Sequence, residues 1–89
     1  MELENKEINA SDADHCVDAK GLFCPEPIML LQQAVMKAHE NESILLVATD
    51  PTTERDVTHY CHFSGHKLIK KSRTLDVYQY LIVKKIINH

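Results

Sequence analysis

Residues 24–49 read CPEPIMLLQQAVMKAHENESILLVAT, and the hydrophobic pattern of this stretch changes after the polar residues 40–42. Pro25 and Pro27 suit the first turn of a helix, where backbone N–H groups have no partner within the helix to lose. Beyond them, apolar residues recur every three or four positions, which is the spacing of one helical face. A helix is therefore predicted from Pro25 to about His39. Its apolar stripe consists of Ile28, Leu31, Val35 and Ala38, widened by Leu30 and Ala34.

The second half of the stretch is extended. Ser43–Thr49 is a nearly continuous aliphatic run, typical of a central strand buried on both faces. Asp50-Pro51 ends that strand, and Thr52 or Thr53 is expected to cap a second helix that stops at Gly65. The inner face of this second helix is predicted to carry Val57, Tyr60, Cys61 and Ser64.

Three further extended runs complete the pattern. His15–Ala19 is predicted to be the first strand, while His66–Arg73 and Val77–Lys84 are predicted to form a hairpin. The resulting order, β-α-β-α-β-β, indicates an α/β (α+β) two-layer sandwich, with two helices on one face of a four-stranded mixed sheet. Residues 1–14 are polar and acidic and are expected to form a flexible N-terminal extension, which leaves a single domain at 15–87.

Composition excludes several classes of function. The chain has 89 residues and a net charge of -3, so direct nucleic-acid binding is not expected, because that requires a clustered excess of Lys and Arg. The longest uninterrupted apolar run, at residues 44–48, is too short to span a bilayer, and no secretory signal opens the sequence. A cytoplasmic protein without membrane contact is expected.

The cysteines indicate a reactive thiol rather than a disulfide framework. Their number is three, and none belongs to a C-x-x-C pair, so neither a zinc ribbon nor a thioredoxin-type dithiol is indicated. Cys24 stands where the chain enters the first helix, where free N–H groups and the helix dipole lower the pKa of a thiol. Lys20 is expected to add positive charge there, whereas Glu26 opposes a thiolate.

Local chemistry alone leaves two interpretations of Cys24 open. In the first, Pro25 and Pro27 hold an exposed sulfur in a preset direction, which suits attack on another sulfur. In the second, Cys24 is a small hydrophobic residue at the helix entry, since free cysteines are among the most buried residue types.

A longer match favours the first interpretation. Asp18–Pro27, reading DAKGLFCPEP, closely resembles the signature of the TusA/SirA-like sulfur-carrier family, whose hallmark is C-P-x-P at the first helix. The resemblance continues through Asp50–Asp56, Tyr60–Phe63, Gly65–Leu68 and Tyr80–Ile82, and within the family it is nearer to TusA than to looser relatives.

The resemblance implies the same two-layer fold and a role for Cys24 as the persulfide-bearing residue. Sulfur would come from a cysteine desulfurase and pass to a downstream sulfur-relay protein, for 2-thiouridine at the tRNA wobble position or for another pathway such as molybdenum-cofactor assembly. No cofactor is implied, and the protein would be a carrier rather than a self-sufficient enzyme. A regulatory or interaction module, and a thiol-disulfide protein pairing Cys24 with Cys16 or Cys61, are the alternatives.

Other polar clusters have simpler interpretations. His59, His62 and His66 lie near Cys61, but their spacing matches no standard zinc pattern, so no metal site is expected. Cys61 is predicted to be a buried structural thiol, and Cys16 has no assigned role. A second set of charged residues at the start of the second helix has two open interpretations, helix capping with surface ion pairing or partner docking. The set is Asp50, Arg55 and Asp56.

Overall fold

A computed structural model of the protein describes residues 8–85. A single 3-10 turn, Ala10–Asp12, precedes four strands and two helices. In chain order these are β1 (His15–Ala19), α1 (Glu26–Lys37), β2 (Ser43–Ala48), α2 (Thr53–Ser64), β3 (Lys67–Thr74) and β4 (Val77–Val83). The predicted order β-α-β-α-β-β is thereby confirmed.

The strands form one mixed sheet in the order β1-β2-β4-β3. β1 pairs parallel to β2, whereas β2 with β4 and β3 with β4 are antiparallel, so the predicted C-terminal hairpin is present. β2 is an interior strand, as its aliphatic run predicted. Its Ile44 and Leu46 side chains are fully buried toward the helices, and Leu45 is buried on the opposite face.

Both helices pack on one face of the sheet. The C-terminal end of α1 is stabilised by a lysine side chain, and α2 ends at a glycine. The α1 stripe buries Leu31, Val35 and Ala38 as predicted. Lys84 Nζ donates hydrogen bonds to the carbonyl oxygens of Val35 and Ala38, at 2.7 and 2.8 Å. α2 ends where Gly65 adopts a left-handed φ of 81°, which glycine tolerates without steric cost.

The N-terminal cap of α2 differs from the prediction. Thr52 occupies the cap position, but the side chain of Thr52 makes no capping hydrogen bond. Instead Asp50 Oδ1 accepts hydrogen bonds from the backbone N–H and the hydroxyl of Thr52, at 3.0 and 2.9 Å. An Asp side chain that accepts a hydrogen bond from the backbone two residues on forms an Asx turn, and Asp50 does so here.

The opposite face of the sheet is partly covered by the segment before β1. The backbone N–H of Ile8 donates to Gln79 Oε1 and its carbonyl accepts from Gln79 Nε2, both at 2.8 Å. The Ile8 side chain is buried against Leu45 and Leu81. Ile8, which belongs to the predicted N-terminal extension, therefore contacts the sheet, which offers an apolar face and an amide partner. The division into an extension at 1–14 and a domain at 15–87 stays a prediction. Residues 1–7 and 86–89 lie outside the described residues.

The helices are short. Each has 12 residues, and within residues 8–85 no helix is both long and apolar enough to cross a membrane.

Candidate functional site

Cys24 lies in the turn that leads from β1 into α1. The turn closes with a hydrogen bond from the Glu26 N–H to the Phe23 carbonyl, at 2.9 Å, and the Cys24–Pro25 peptide bond is cis. Cys24 is exposed, while Pro27 in the next turn is fully buried and anchors the start of the helix. The sequence thus places an accessible sulfur on a short, well-anchored backbone.

The starts of the two helices lie beside each other at one edge of the sheet. The backbone N–H of Cys24 donates a hydrogen bond to Asp50 Oδ2 at 3.1 Å, although the two residues are 26 positions apart. Asp50 is only 8% exposed, so its carboxylate braces the two turns rather than facing a partner. The hydrogen bonds from Thr52 and from Cys24 hold the pKa of Asp50 below its usual value.

The Cys24 thiol lies next to acidic groups of α2. The pKa of the thiol is raised, first by a hydrogen bond with the Asp56 carboxylate, then by desolvation and by the negative charges of Asp56 and Asp50. The positive charge of Arg55 acts in the opposite direction. The direction of the pKa shift, which the sequence left undecided, is therefore upward.

Two of the expected supporting residues, Lys20 and Glu26, are not among the causes of the pKa shift of Cys24. Lys20 lines a groove on the face of the sheet away from the helices, together with Val47 and Gln79. Neither Lys20 nor Glu26 is among the groups that shift the pKa of Cys24, and the cation that lowers it is Arg55. Gly21 turns the chain directly after Lys20, with a φ of 81°, and this turn lies between Lys20 and the segment that carries Cys24.

A shallow apolar groove of about 410 Å³ opens beside Cys24, between α1 and α2. One end of the groove carries Phe63, which is 86% exposed. Sequence reasoning did not identify the groove. The sequence contained one signal for it, because positions 56, 59, 60 and 63 have helical spacing and lie beside the buried stripe of α2. The lining residues are Cys24, Pro25, Ile28, Gln32, Asp56, His59, Tyr60 and Phe63.

The other two thiols lie elsewhere. Cys16 is exposed on the edge strand β1, and Cys61 is 6% exposed in the main core, as predicted. Burial raises the pKa of Cys61 to about 11. None of the three cysteines is in a disulfide.

The histidines near Cys61 do not form a metal centre in the described part of the chain, where no three His, Cys, Asp or Glu side chains are grouped for a metal ion. His66 instead accepts a hydrogen bond at Nδ1 from the backbone N–H of Lys85, at 3.1 Å. The His66 ring also lies 5.8 Å from the ring of Tyr60, measured between centroids.

Comparison with known proteins agrees with this picture. The sequence profile of the family described as sulfurtransferase TusA matches residues 15–84. The chain belongs to the TusA family. Among solved structures, the crystal structure of the SirA-like protein from Desulfitobacterium hafniense superposes with a TM-score of 0.71, covering 81% of this chain and 99% of that chain. The two sequences are 15% identical, so this similarity establishes the shared fold alone.

Membership in the TusA family supports a sulfur-carrier role, in a relay with other proteins. In the C-P-x-P motif that carried the resemblance, Cys24, Pro25 and Glu26 are exposed at the start of α1, whereas Pro27 is buried.

Proposed function

We propose that Cys24 accepts a persulfide sulfur from a cysteine desulfurase in the cytoplasm and passes it to a downstream relay protein, for 2-thiouridine at the tRNA wobble position. The observation that carries the proposal is the exposed Cys24 sulfur, on an anchored turn beside an open groove, in a chain of the TusA family. A carrier needs this combination of access and fixed direction, because its sulfur must enter the active site of another protein.

The chemistry needs only one thiol of this chain. The Cys24 sulfur attacks the outer sulfur of the donor persulfide, the bond between the two donor sulfurs breaks, and the inner sulfur leaves. Cys24 then holds a persulfide that a second thiol can remove by the same reaction. Arg55, 69% exposed beside the site, is the proposed docking residue of the charged set, whereas Asp50 has a bracing role.

The geometry favours the carrier over a thiol-disulfide protein that pairs Cys24 with Cys61. A redox pair needs a second accessible thiol close to Cys24, and Cys61 is buried in the core with a pKa raised to about 11. A pure interaction module would need no reactive thiol at all. Single-cysteine variants separate these functions.

Sulfur acceptance is tested with a cysteine desulfurase, cysteine and the purified protein. We expect a mass gain of one sulfur atom, removed by reductant and mapped by peptide mass spectrometry to Cys24. Cys24→Ser should gain nothing while keeping a native circular dichroism spectrum, and Cys16→Ser and Cys61→Ser, the matched controls, should both gain the sulfur. Sulfur found on Cys16 or Cys61, or acceptance by Cys24→Ser, contradicts the proposal.

The tRNA destination needs a separate test. In cells lacking this gene, the wild-type chain should restore 2-thiouridine in digested tRNA, measured by mass spectrometry, and Cys24→Ser should not. If wobble thiolation is unaffected by the deletion while molybdenum-cofactor content falls, the sulfur serves that other pathway.

A further inference from the structure

The Asp56 carboxylate occupies a position that partner docking does not explain. The side chain lies in the first turn of α2 and is 20% exposed, whereas the neighbouring Arg55 side chain is 69% exposed. Asp56 lines the same groove as Cys24, and its carboxylate is the largest cause of the raised pKa of the thiol. A group meant for long-range attraction would be expected at the periphery, as Arg55 is, rather than against the reacting sulfur.

Sulfur acceptance requires the Cys24 thiol to lose a proton and the departing donor sulfur to gain one. A neutral thiol is a poor nucleophile, and the raised pKa of Cys24 keeps it protonated at neutral pH. The donor's inner sulfur departs as a thiolate that must be protonated or otherwise stabilised. A carboxylate that lines the same groove as the thiol can accept the first proton and supply the second.

We propose that Asp56 is a catalytic residue that takes the proton of the Cys24 thiol and returns it to the leaving donor thiolate; this rests on the proposed function of Cys24. As the S–H bond of Cys24 breaks, the proton moves to Asp56, and the Cys24 sulfur bonds to the outer sulfur of the donor. The sulfur–sulfur bond of the donor breaks with its electron pair on the inner sulfur, which receives the proton from Asp56. One thiol and one persulfide give one persulfide and one thiol, with no net oxidation.

The surroundings of the thiol single out Asp56 for this role. Asp50 is engaged by Thr52 and by the Cys24 N–H, so its carboxylate is already committed to three donors. Glu26 does not shift the pKa of Cys24, and Arg55 is a cation that cannot accept a proton. Glu26 is the charged residue in the first turn of α1. The charged or titratable groups that line the groove or shift the pKa of Cys24 are Asp50 of the β2–α2 connection and Arg55, Asp56, His59 and Tyr60 of α2.

The test uses two readouts that should move in opposite directions in Asp56→Asn. With Cys16→Ser as background, so that Cys24 is the exposed thiol, iodoacetamide alkylation at pH 7 should become several-fold faster, and its pH profile should shift to lower pH. Sulfur acceptance at saturating persulfide donor should become at least about tenfold slower, because a general base is lost. Asp56→Glu should recover part of the transfer rate. Asp76→Asn, which removes the same charge at the exposed β3–β4 turn, should change neither.

The outcomes that overturn this inference are distinct from those that overturn the carrier function. An unchanged alkylation profile in Asp56→Asn means that Asp56 does not act on the thiol. Faster transfer together with faster alkylation means that Asp56 only restrains the thiol and moves no proton. If the wild type accepts no sulfur at Cys24, the carrier proposal fails, whereas equal transfer by wild type and Asp56→Asn removes only the role of Asp56. Circular dichroism identifies a variant that is misfolded, and only variants with a native spectrum count in either readout.

Discussion

At the scale of single residues, the three cysteines have identical side chains in different environments. Cys24 is exposed beside carboxylates, Cys61 is buried in the main core, and Cys16 is exposed on an edge strand. Their reactivity should follow the accessibility and charge around each sulfur rather than any property of cysteine itself.

Cys61→Ser should destabilise the fold without affecting sulfur acceptance. A hydroxyl placed in this apolar site costs on the order of 1–3 kcal/mol if it finds no partner. The free energy of unfolding from urea melts measures the loss, with Cys16→Ser as the exposed control that should change little. A Cys61→Ser protein as stable as wild type but unable to pass sulfur on would make Cys61 a working residue.

Arg55→Glu should slow sulfur transfer at low salt and leave the fold intact. The Arg55 side chain is 69% exposed and its Nε lies 3.7 Å from Asp56 Oδ1, so its charge is accessible to an approaching donor. Charge complementarity acts mainly on the encounter rate and is screened by salt. The difference from wild type, measured as transfer rate against donor concentration, should narrow as ionic strength rises. Equal rates at low salt would leave Arg55 without a docking role.

At the scale of helices and strands, single side chains hold element ends that lie far apart in the chain. Asp50 joins the start of α2 to the turn before α1, and Lys84, just after β4, binds the last carbonyls of α1. These contacts set where each helix begins or ends relative to its neighbour.

Asp50→Asn should lower the free energy of unfolding at pH 7. This destabilisation should disappear in acid. The hydrogen bonds hold the pKa of Asp50 below its usual 3.8, so the folded state binds this proton less readily than the unfolded state. The resulting stabilisation is fully present above pH 3.8 and is lost as pH falls through the depressed pKa. Urea midpoints of the two proteins should therefore differ at pH 7 and converge below pH 3.8. A constant difference across this range would show that the charge is not involved.

Lys84→Met should shorten or loosen the last turn of α1. Removing hydrogen bonds from a charged group to two carbonyls should cost about 1–2 kcal/mol, measured by urea unfolding. Lys85→Met is the matched control, because Lys85 Nζ binds only the exposed Asn41 side chain among the described residues, at 3.0 Å. If both variants lose the same stability, the effect is one of net charge rather than of helix capping.

At the scale of the whole molecule, the sheet is covered on both sides but unequally. Two helices cover one face, and Ile8 covers part of the other over Leu45 and Leu81. A small domain buries little surface in total, so a single added side chain on the open face matters to stability.

Ile8→Ala should destabilise the domain by about 2 kcal/mol, the lower end of the range for a buried Ile, because the site lies at the edge of the core. Its backbone hydrogen bonds to Gln79 remain available in the variant. Urea unfolding provides the measurement, with Leu75→Ala, at an 85% exposed position, as the control that should change little. No loss of stability in Ile8→Ala would show that the segment does not contribute to the fold in solution.

The sequence by itself determined the secondary structure elements, their order and the position of Cys24 at the entry to α1. The period of apolar residues reports which side of a helix or strand is buried, so the α1 stripe and the interior strand β2 were evident without coordinates. Cys24 was recognisable because Pro25 and Pro27 mark a helix start and the surrounding motif matches a family.

Tertiary structure alone decided what surrounds that thiol. Asp56 meets Cys24, Asp50 bridges two helix starts, and Lys20 falls on the opposite side of the sheet. Ile8 likewise found its partner at Gln79, 71 positions away. Periodicity describes each element separately and carries no information about how two elements are positioned against each other. The electrostatics of Cys24 depend on that relative position, because hydrogen bonds and charge interactions act over a few ångströms in space and not along the chain.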